Sequence, residues 1–489
     1  MTLGALLQQV GLSDRATGPT GGTIDRVVVD SREVTDRSLF IAMRGLFADG
    51  HEYIHQAIEG GARAIIAERP APASLDQGVA WVEVEDSGPV LGRVAAALYD
   101  HPSRDLKVLA VTGTNGKTTV SWLLDAVLTS RGYLTGVVGT IETRFGDTVV
   151  QTGYTTPPAH VLHGLLARMR DAGVTHVLLE ASSHGLKLNR MSGVEVAVGG
   201  YTNLSRDHMD FHPDMEDYRN TKASLFRDFG CSGAFNIDDE VGASMAREFS
   251  PSGVTVSTHD SAADLWLEDL ICDLDGCHAT LHSGGETHPF HVPLIGRHNA
   301  ENGLVAIGML TLAGMELREA LLGLSEAPAT PGRLERVPGV RRVLVDYAHS
   351  PDALENVLGA LRPLVSGRII CVFGAGGDRD PGKRPEMGAI VDQMADYAVV
   401  TSDNPRSEDP QSILDAIVTG MSDQTPRQVV VDRREAIELA ARLAGPEDLV
   451  LLAGKGHETT QEIAGVKHTF DDRLEARRVL DALSSEGVS

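Results

Sequence analysis

The sequence predicts an α/β protein of three domains, and three observations carry this. The chain has 489 residues, too many for one hydrophobic core. Apolar strand-like runs alternate with amphipathic stretches over residues 104–330 and again from residue 331, the pattern of mostly parallel sheets. Two breaks, His101-Pro102-Ser103 and Ala327-Pro328-Ala329-Thr330-Pro331-Gly332, divide the chain into 1–103, 104–330 and 331–489.

Met1 to Leu12 reads as a short amphipathic helix without the basic start of a signal peptide. Val27 to Val29, Ser38 to Ala42 and Ala64 to Ala67 read as strands of a smaller N-terminal α/β domain. Gly45 to Gly50 is a loop between them, and His55 to Ala62 and Val90 to Leu98 are helices. In the central domain, strands are predicted at Val108 to Val111, Val177 to Leu179, Val196 to Gly199 and Gly233 to Asn236. Ala263 to Pro293 reads as antiparallel hairpins turning at Asp275-Gly276 and Ser283-Gly284-Gly285. The last domain restarts the pattern, with strands at Val343 to Asp346, Ile369 to Phe373, Tyr397 to Thr401 and Leu449 to Ala453. This is a Rossmann-like, doubly wound sheet, whose ligands sit at the carboxyl ends of the strands.

A net charge of −25 argues against nucleic acid as a partner. No apolar run approaches a membrane span, so membrane insertion is not expected. The four cysteines suggest neither a disulfide framework nor a zinc site, and Cys272 and Cys277 read as hairpin residues around a turn. A cytoplasmic monomer is expected.

Gly113-Thr114-Asn115-Gly116-Lys117-Thr118-Thr119 lies between the apolar run at Val108 and a helical pattern of Val120, Leu123, Leu124, Val127 and Leu128. A strand, a glycine loop and a helix start form a phosphate cradle, so the central sheet is P-loop-type. Backbone N–H groups favour an anion, Lys117 adds a point charge and Thr118 offers a hydroxyl to Mg²⁺. Glu180 closes the apolar strand Leu178-Leu179, where a parallel sheet presents a metal ligand beside the loop. The same stretch, Ser182-Ser183-His184, also reads as a helix N-terminus capped by Ser182. Asn203 to His212 holds two aspartates and two histidines, which suits metal or proton chemistry and equally an ordinary polar loop. Lys222 follows on a helix with Tyr218, Leu225, Phe226 and Phe229; read alone, it is a solvated charge.

The loop departs from the common phosphate-loop pattern, which has Gly where this chain has Val111. The shortened form resembles the ATP loop of the Mur ligase and folylpolyglutamate synthetase superfamily. Asn203 to Lys222 is similar to the Mur ligase segment that carries a metal-ligand histidine and, fourteen residues on, a carbamylated lysine; His208 and Lys222 have that spacing. Gly296 to Asn302 resembles the adenine-side motif, with His298 and Asn299. Pro331 to Glu335 resembles the arginine motif in which Arg333 reaches phosphate, and Val345 to Pro351 the motif whose Asp346 meets the ribose. The resemblance implies catalytic Lys117, Glu180, His208 and Lys222, with Thr118, Glu180, His208 and Lys222 holding Mg²⁺ and ATP as the nucleotide.

Asp30-Ser31-Arg32, Leu39 to Ala42 and Asp49-Gly50-His51 are similar to the uridine-nucleotide domain of the Mur ligases that add the third amino acid, a domain folylpolyglutamate synthetases lack. On this resemblance 1–103 binds the UDP-muramoyl group through Ser31, 104–330 is the ATP-binding ligase domain, and 331–489 binds the amino acid. Thr155, Thr156, Ser182 and Arg190 match positions that hold the muramoyl-dipeptide; Leu188, where such enzymes often carry Gln, leaves one substrate hydrogen bond unaccounted for. Asp403-Asn404-Pro405-Arg406 resembles the meso-diaminopimelate recognition motif, completed by Arg379, Gly454 and Glu458. With Lys117, Arg190 and Arg333, these arginines concentrate positive charge in an acidic chain. The implied activity is an ATP-dependent, ADP-forming amide ligation in peptidoglycan precursor synthesis, through an acyl phosphate. Two alternatives stand: the same reaction with L-lysine or L-ornithine, and a non-catalytic nucleotide-binding partner on the ligase fold.

Overall fold

The computed structural model describes residues 1–486 apart from 46, 47, 74, 76, 250–252, 341 and 423. The chain forms two compact units: Met1–Leu267 with Leu281–His288 and Glu301–Leu324, and Glu268–Thr280 with Pro289–Ala300 and Ser325–Ser489. No described helix is long and apolar enough to cross a membrane.

The first unit opens with α1 (Leu3–Gln9), which buries Leu3, Leu6 and Leu7 at helical spacing. Strands β1 (Ala16–Thr17), β2 (Arg26–Val28), β3 (Ser38–Ile41), β4 (Ala64–Ala67) and β5 (Ala80–Glu83) form a sheet in the order β1-β5-β4-β3-β2. All its pairings are parallel except β1 with β5. Helices α2 (Ile54–Glu59) and α3 (Ser87–Leu98) connect and follow these strands. The predicted His55–Ala62 helix stops sooner, at Gly60-Gly61. The predicted Val90–Leu98 helix begins earlier, at Ser87 under an Asp86 cap, because Pro89 lies in the first turn, where its missing N–H is no loss. The loop predicted at 45–50 includes residues 46 and 47, which lie outside the described residues.

The second sheet of this unit uses β6 (Lys107–Thr112), β7 (Thr135–Val138), β8 (Thr143–Phe145), β9 (Thr148–Val150), β10 (His176–Glu180), β11 (Val198–Tyr201), β12 (Ser232–Asn236) and β13 (Val254–Ser257). Between them run α4 (Lys117–Ser130), α5 (Ala159–Asp171), α6 (Ser183–Lys187), α7 (Met215–Arg227) and α8 (Glu240–Phe249). The order is β13-β12-β11-β6-β10-β7-β8-β9, parallel from β13 to β7. Strand β11 begins two residues after the predicted Val196. Strand β6 sits in the middle, with β10 and β7 on one side and β11 and β12 on the other. The connection leaving β6 runs toward β7 and that leaving its neighbour β11 runs toward β12, in opposite directions, which opens a crevice at their carboxyl ends. Every residue of β10 is buried, so Glu180 arrives at that crevice on a strand fixed on both faces.

Strands β14 (Leu265–Asp273), β15 (Gly276–Ser283) and β16 (Glu286–Val292) extend the order beyond β13, with turns where they were predicted. Cys272 and Cys277 are joined by a disulfide, against the expectation of none; the tight turn brings their Cα atoms to 4.1 Å. Helices α9 (Arg297–Leu312) and α10 (Leu317–Ser325) follow.

The second unit is built on β17 (Glu335–Val337), β18 (Arg342–Asp346), β19 (Ile369–Phe373), β20 (Tyr397–Val400), β21 (Arg427–Val429) and β22 (Leu449–Ala453), ordered β17-β18-β22-β19-β20-β21. All neighbours are parallel except β17 with β18. Alternate strand residues feed two cores. Leu344, Ile369, Cys371, Phe373 and Leu451 pack with α11 (Pro351–Leu361), α12 (Lys383–Met394) and α13 (Pro410–Val418). Val343, Val345, Ile370, Val372 and Leu452 pack with α14 (Arg433–Leu443) and α15 (Asp472–Ser485). Helices on both faces follow from this alternation, as predicted. The hairpin β23 (Thr460–Ile463) and β24 (Val466–Thr469) completes the unit.

Candidate active site

In the first unit the loop 113–116 leaves β6 and turns directly into α4, whose N-cap, Gly116, provides no side-chain bond. The first N–H groups of α4 therefore have no cap from that side chain, which favours an anion. Both loop glycines are forced by close approach: a Cβ on Gly113 would lie 1.8 Å from Thr202 Oγ1, and one on Gly116 2.2 Å from Asn302 Oδ1. The loop is clasped by the residues just after β11: Thr114 N donates to Asn203 O at 2.8 Å, Asn115 N to Asn203 Oδ1 at 3.0 Å, and Thr202 Oγ1 to Asn115 O at 2.5 Å. Lys117 Nζ folds over the loop and donates to Gly113 O and Thr114 O, both at 2.9 Å. Thr119 is buried in the first turn of α4.

Glu180, almost fully buried, accepts from Thr118 Oγ1 at 3.1 Å, Thr140 N at 3.0 Å and Thr140 Oγ1 at 2.9 Å. Thr140 Oγ1 also meets Thr155 Oγ1 at 3.0 Å. Thr156 Oγ1 donates to Glu180 O at 2.8 Å and touches Ser182 Oγ at 2.8 Å, while Arg190 Nη1 donates to Thr156 O at 2.9 Å. The Arg190 guanidinium lies 4.6 Å from the Tyr154 ring. Ser182 does cap α6, by accepting from Gly185 N at 3.1 Å, as the helix N-terminus reading of this stretch expects. Thr155, Thr156, Ser182 and Arg190 are thus gathered around the Glu180 strand end. Ser31 stands apart in the N-terminal sheet region and donates to Gln56 Oε1 at 2.8 Å.

Lys222 is not the solvated charge that its helix position suggested. Its side chain is buried, its Nζ lies 4.2 Å from the Tyr218 ring, and it has no hydrogen bond among the described residues. Burial first, and then the Lys117 charge, hold the amine well below the usual lysine range, with Asp207 opposing. Tyr218, one helical turn earlier, touches Thr114 Oγ1 with its hydroxyl at 3.2 Å and so links this helix to the phosphate loop. His208, at φ +56°, is lowered chiefly by burial and also by Lys117 and Lys222. Its partner in the predicted cluster, His212, is buried and bonded to Asp217 Oδ2 at 2.6 Å. Of the predicted metal ligands, Thr118 and Glu180 are in contact, and His208 and Lys222 share the field of Lys117. Among the described residues no three His, Cys, Asp or Glu side chains are grouped to hold a metal.

In the second unit, Asn299 lies at the start of α9, donating its N–H to Gly296 O at 2.8 Å and its amide to Ile295 O at 2.9 Å, with His298 exposed beside it. Asp346 ends β18 and accepts from Leu334 N and Ala348 N, both at 2.8 Å. Burial raises its carboxyl, against Arg333 and those two N–H groups. Arg333 lies 5.3 Å from the Tyr347 ring. Arg379 and Arg406 converge: a methyl placed on Gly376 would lie 2.9 Å from Arg406 Nη1 and 3.7 Å from Arg379 Cγ. Arg406 Nη1 donates to Gly377 O at 2.5 Å, and Gly377 N to Asn404 O at 2.9 Å, across the bend at Pro405. Asn404 Nδ2 donates to Glu458 Oε2 at 2.8 Å. Asp403 is raised by burial and lies 3.4 Å from where a Cβ on Gly454 would stand. Burial pushes Glu458 up, but Lys455 and Asn404 outweigh it and leave it lowered.

Sequence reasoning missed Thr140, Tyr218 and Lys455. No local signal marks Thr140 as a Glu180 partner. Lys455, wedged between Gly454 and Gly456 just before Glu458, was a signal that went unused.

Comparison with known proteins agrees with this geometry. Residues 23–99 match the model of the Mur ligase family catalytic domain, 111–310 the Mur ligase middle domain, and 332–456 the Mur ligase glutamate ligase domain. The UDP-N-acetylmuramoyl-L-alanyl-D-glutamate--2,6-diaminopimelate ligase of Geobacter metallireducens is 40% identical over 96% of this chain and 97% of its own. That of Gloeobacter violaceus is 41% identical over 100% and 99%. A solved structure of a ligase of that name, 32% identical, covers 99% of both chains with a TM-score of 0.74. The MurF ligase from Thermotoga maritima in complex with ADP, 18% identical over 95% and 98%, shares the fold with a TM-score of 0.62. The chain belongs to the Mur ligase family and is an ATP-dependent ligase.

Proposed function

We propose that this enzyme adds meso-diaminopimelate to UDP-N-acetylmuramoyl-L-alanyl-D-glutamate, forming ADP and phosphate, as a cytoplasmic monomer. Residues 1–103 take the uridine nucleotide, with Ser31 as a contact; 104–330 take ATP; 331–489 take the amino acid. The single observation that carries the amine assignment is the neighbourhood of Asn404, where the Glu458 carboxylate accepts from its amide and the Arg406 guanidinium is held on Gly377, whose N–H donates to Asn404 O. Such a pocket suits a molecule with an ammonium and a carboxylate on its distal carbon.

The loop 113–119 receives the ATP phosphates, and Lys117 offsets charge on the transferring phosphoryl group. His298 and Asn299 are assigned to the adenine side, Asp346 to the ribose hydroxyls and Arg333 to phosphate oxygens. Thr155, Thr156, Ser182 and Arg190 orient the peptide. The γ-carboxylate of its D-glutamyl residue attacks the γ-phosphorus, ADP leaves, and an acyl phosphate forms. The amine then attacks the acyl carbon, loses a proton, and the tetrahedral intermediate expels phosphate. Asp403, Asn404, Pro405, Gly454 and Glu458 hold that amine substrate.

Mg²⁺ is assigned to Thr118, Glu180, His208 and Lys222, where it supplies positive charge against phosphate oxygens. The residues fit. Thr118 and Glu180 offer hard oxygen donors. The buried, unbonded amine of Lys222 favours its neutral form, the form that adds CO₂ and releases a proton to become an anionic carbamate. The test is product mass after incubation with ATP, Mg²⁺, the UDP-muramoyl-dipeptide and either meso-diaminopimelate, L-lysine or L-ornithine. The expected product carries diaminopimelate; equal use of lysine or ornithine refutes the amine assignment, and no ADP release with any amine refutes the ligase reading.

A further inference from the structure

We infer that Lys455 is a positioning residue for the amine substrate: it turns one oxygen of Glu458 toward the incoming ammonium and anchors the backbone that aims Arg406. This rests on the amine pocket proposed above. Lys455 lies two residues beyond β22 and is fully buried. Its Nζ donates to Thr460 O at 2.7 Å, Glu458 Oε2 at 3.0 Å and Asn404 Oδ1 at 3.2 Å, so its three protons have three acceptors.

Those bonds fix the Asn404 amide. Asn404 Oδ1 accepts from Lys455 and from Glu462 N at 3.0 Å. A flipped amide would set N–H groups against two donors, so Nδ2 must face Glu458, to which it donates at 2.8 Å. Glu458 Oε2 therefore takes two donors, while Oε1 takes none among the described residues. The Glu458 side chain is 32% exposed, so Oε1 is the oxygen left for a substrate.

The third bond reaches the other half of the pocket. Thr460 opens β23, and the same strand carries Glu462, whose carbonyl accepts from Arg406 N at 3.0 Å, and Ile463, which bridges to Arg406. This pairing holds Arg406 at φ +54°, a left-handed conformation that a non-glycine residue adopts only when its surroundings impose it. One ammonium thus sets the spacing between the acceptor of a distal amino group and the donor to a distal carboxylate.

The test is Lys455→Met in the full-length enzyme, with each of the three substrates varied in turn and folding followed by thermal melting. The expected result is a KM for meso-diaminopimelate raised at least about tenfold, roughly one lost hydrogen-bond contact. KM for ATP and for the nucleotide peptide should stay within about twofold, and selection for diaminopimelate over lysine should fall. If Lys455→Met does not fold, Lys455→Gln, which is uncharged and has two N–H groups for three acceptors, is measured for the same split. An unchanged diaminopimelate KM, or an equal rise in all three KM values, overturns the inference, because a merely structural lysine would act on every substrate alike. If the wild-type enzyme instead prefers lysine, the amine assignment falls, and the same rise confined to lysine still supports Lys455 in this role.

Discussion

Replacing Glu180 by glutamine separates the structural from the catalytic work of this carboxylate. Glu180 is almost fully buried, and its three bonds come from Thr140 N on Oε1 and from Thr118 Oγ1 and Thr140 Oγ1 on Oε2. An amide fits this set. Its oxygen can face Thr140 N, the only donor that cannot reverse, and its NH₂ can face two hydroxyls that rotate to accept. Thr140 Oγ1 then keeps a donor role toward Thr155 Oγ1 at 3.0 Å. The bonds survive in number but lose charge assistance, about 1 kcal/mol each, and relief from burying a charge offsets part of that. Glu180→Gln should therefore cost about 1–2 kcal/mol of stability, a few degrees in Tm. If the carboxylate holds Mg²⁺ at the phosphates, turnover should fall at least about a hundredfold, or about 2.7 kcal/mol. Thermal melting and ADP release across a Mg²⁺ titration measure the two effects. A folded Glu180→Gln enzyme turning over within about threefold of wild type at the same Mg²⁺ would refute the metal assignment.

Three further outcomes are expected. If its ammonium acts on the transferring phosphoryl group, Lys117→Ala should keep the fold and lose at least about a hundredfold in ADP release; near-normal turnover in a folded protein sinks the phosphate-loop reading. Lys222→Ala should be nearly inactive and partly restored by a short carboxylate in solution, and no rescue argues against a carbamate. Because the Lys222 amine lies below the usual lysine range, the unfolded chain binds its proton more tightly than the folded one. Stability of the unmodified enzyme should consequently rise with pH from the folded value toward about 10.4, and Lys222→Met should flatten that rise in urea titrations at several pH values. Arg406→Ala should lose most of an expected selection of at least about a hundredfold for meso-diaminopimelate over lysine, because lysine leaves the guanidinium unpaired. ATP affinity should persist, and undiminished selection in competition assays would remove Arg406 from the pocket.

Where sequence and structure agree, the reason is local. Residues 64–67, 369–373 and 449–453 are uninterrupted apolar runs, buried throughout, and their strand limits match the prediction. Where they part, a neighbour decides. The helix predicted from Val90 starts at Ser87, because Asp86 caps it ahead of Pro89. Lys222 reads as a surface charge, since helix periodicity does not say how deeply a position is covered; its packing against Tyr218 makes it a buried amine. Cys272 and Cys277 read as hairpin residues, and only the pairing across the turn joins them.

The glycine loop, the carboxylate ending the neighbouring strand and the arginine-bearing segment 403–406 were legible along the chain, because each is a short run whose backbone geometry and chemistry are set by adjacent residues. Which atoms of those runs remain available follows from packing. Thr202 and Asn203 clasp the loop from just beyond β11, almost ninety residues away in sequence, and Thr140 reaches Glu180 across forty. Lys455, fifty-one residues from Asn404, directs that amide and leaves one oxygen of Glu458 open. Such bonds depend on sheet order and burial, which bring distant residues within hydrogen-bond reach, and spacing along the chain carries no record of them.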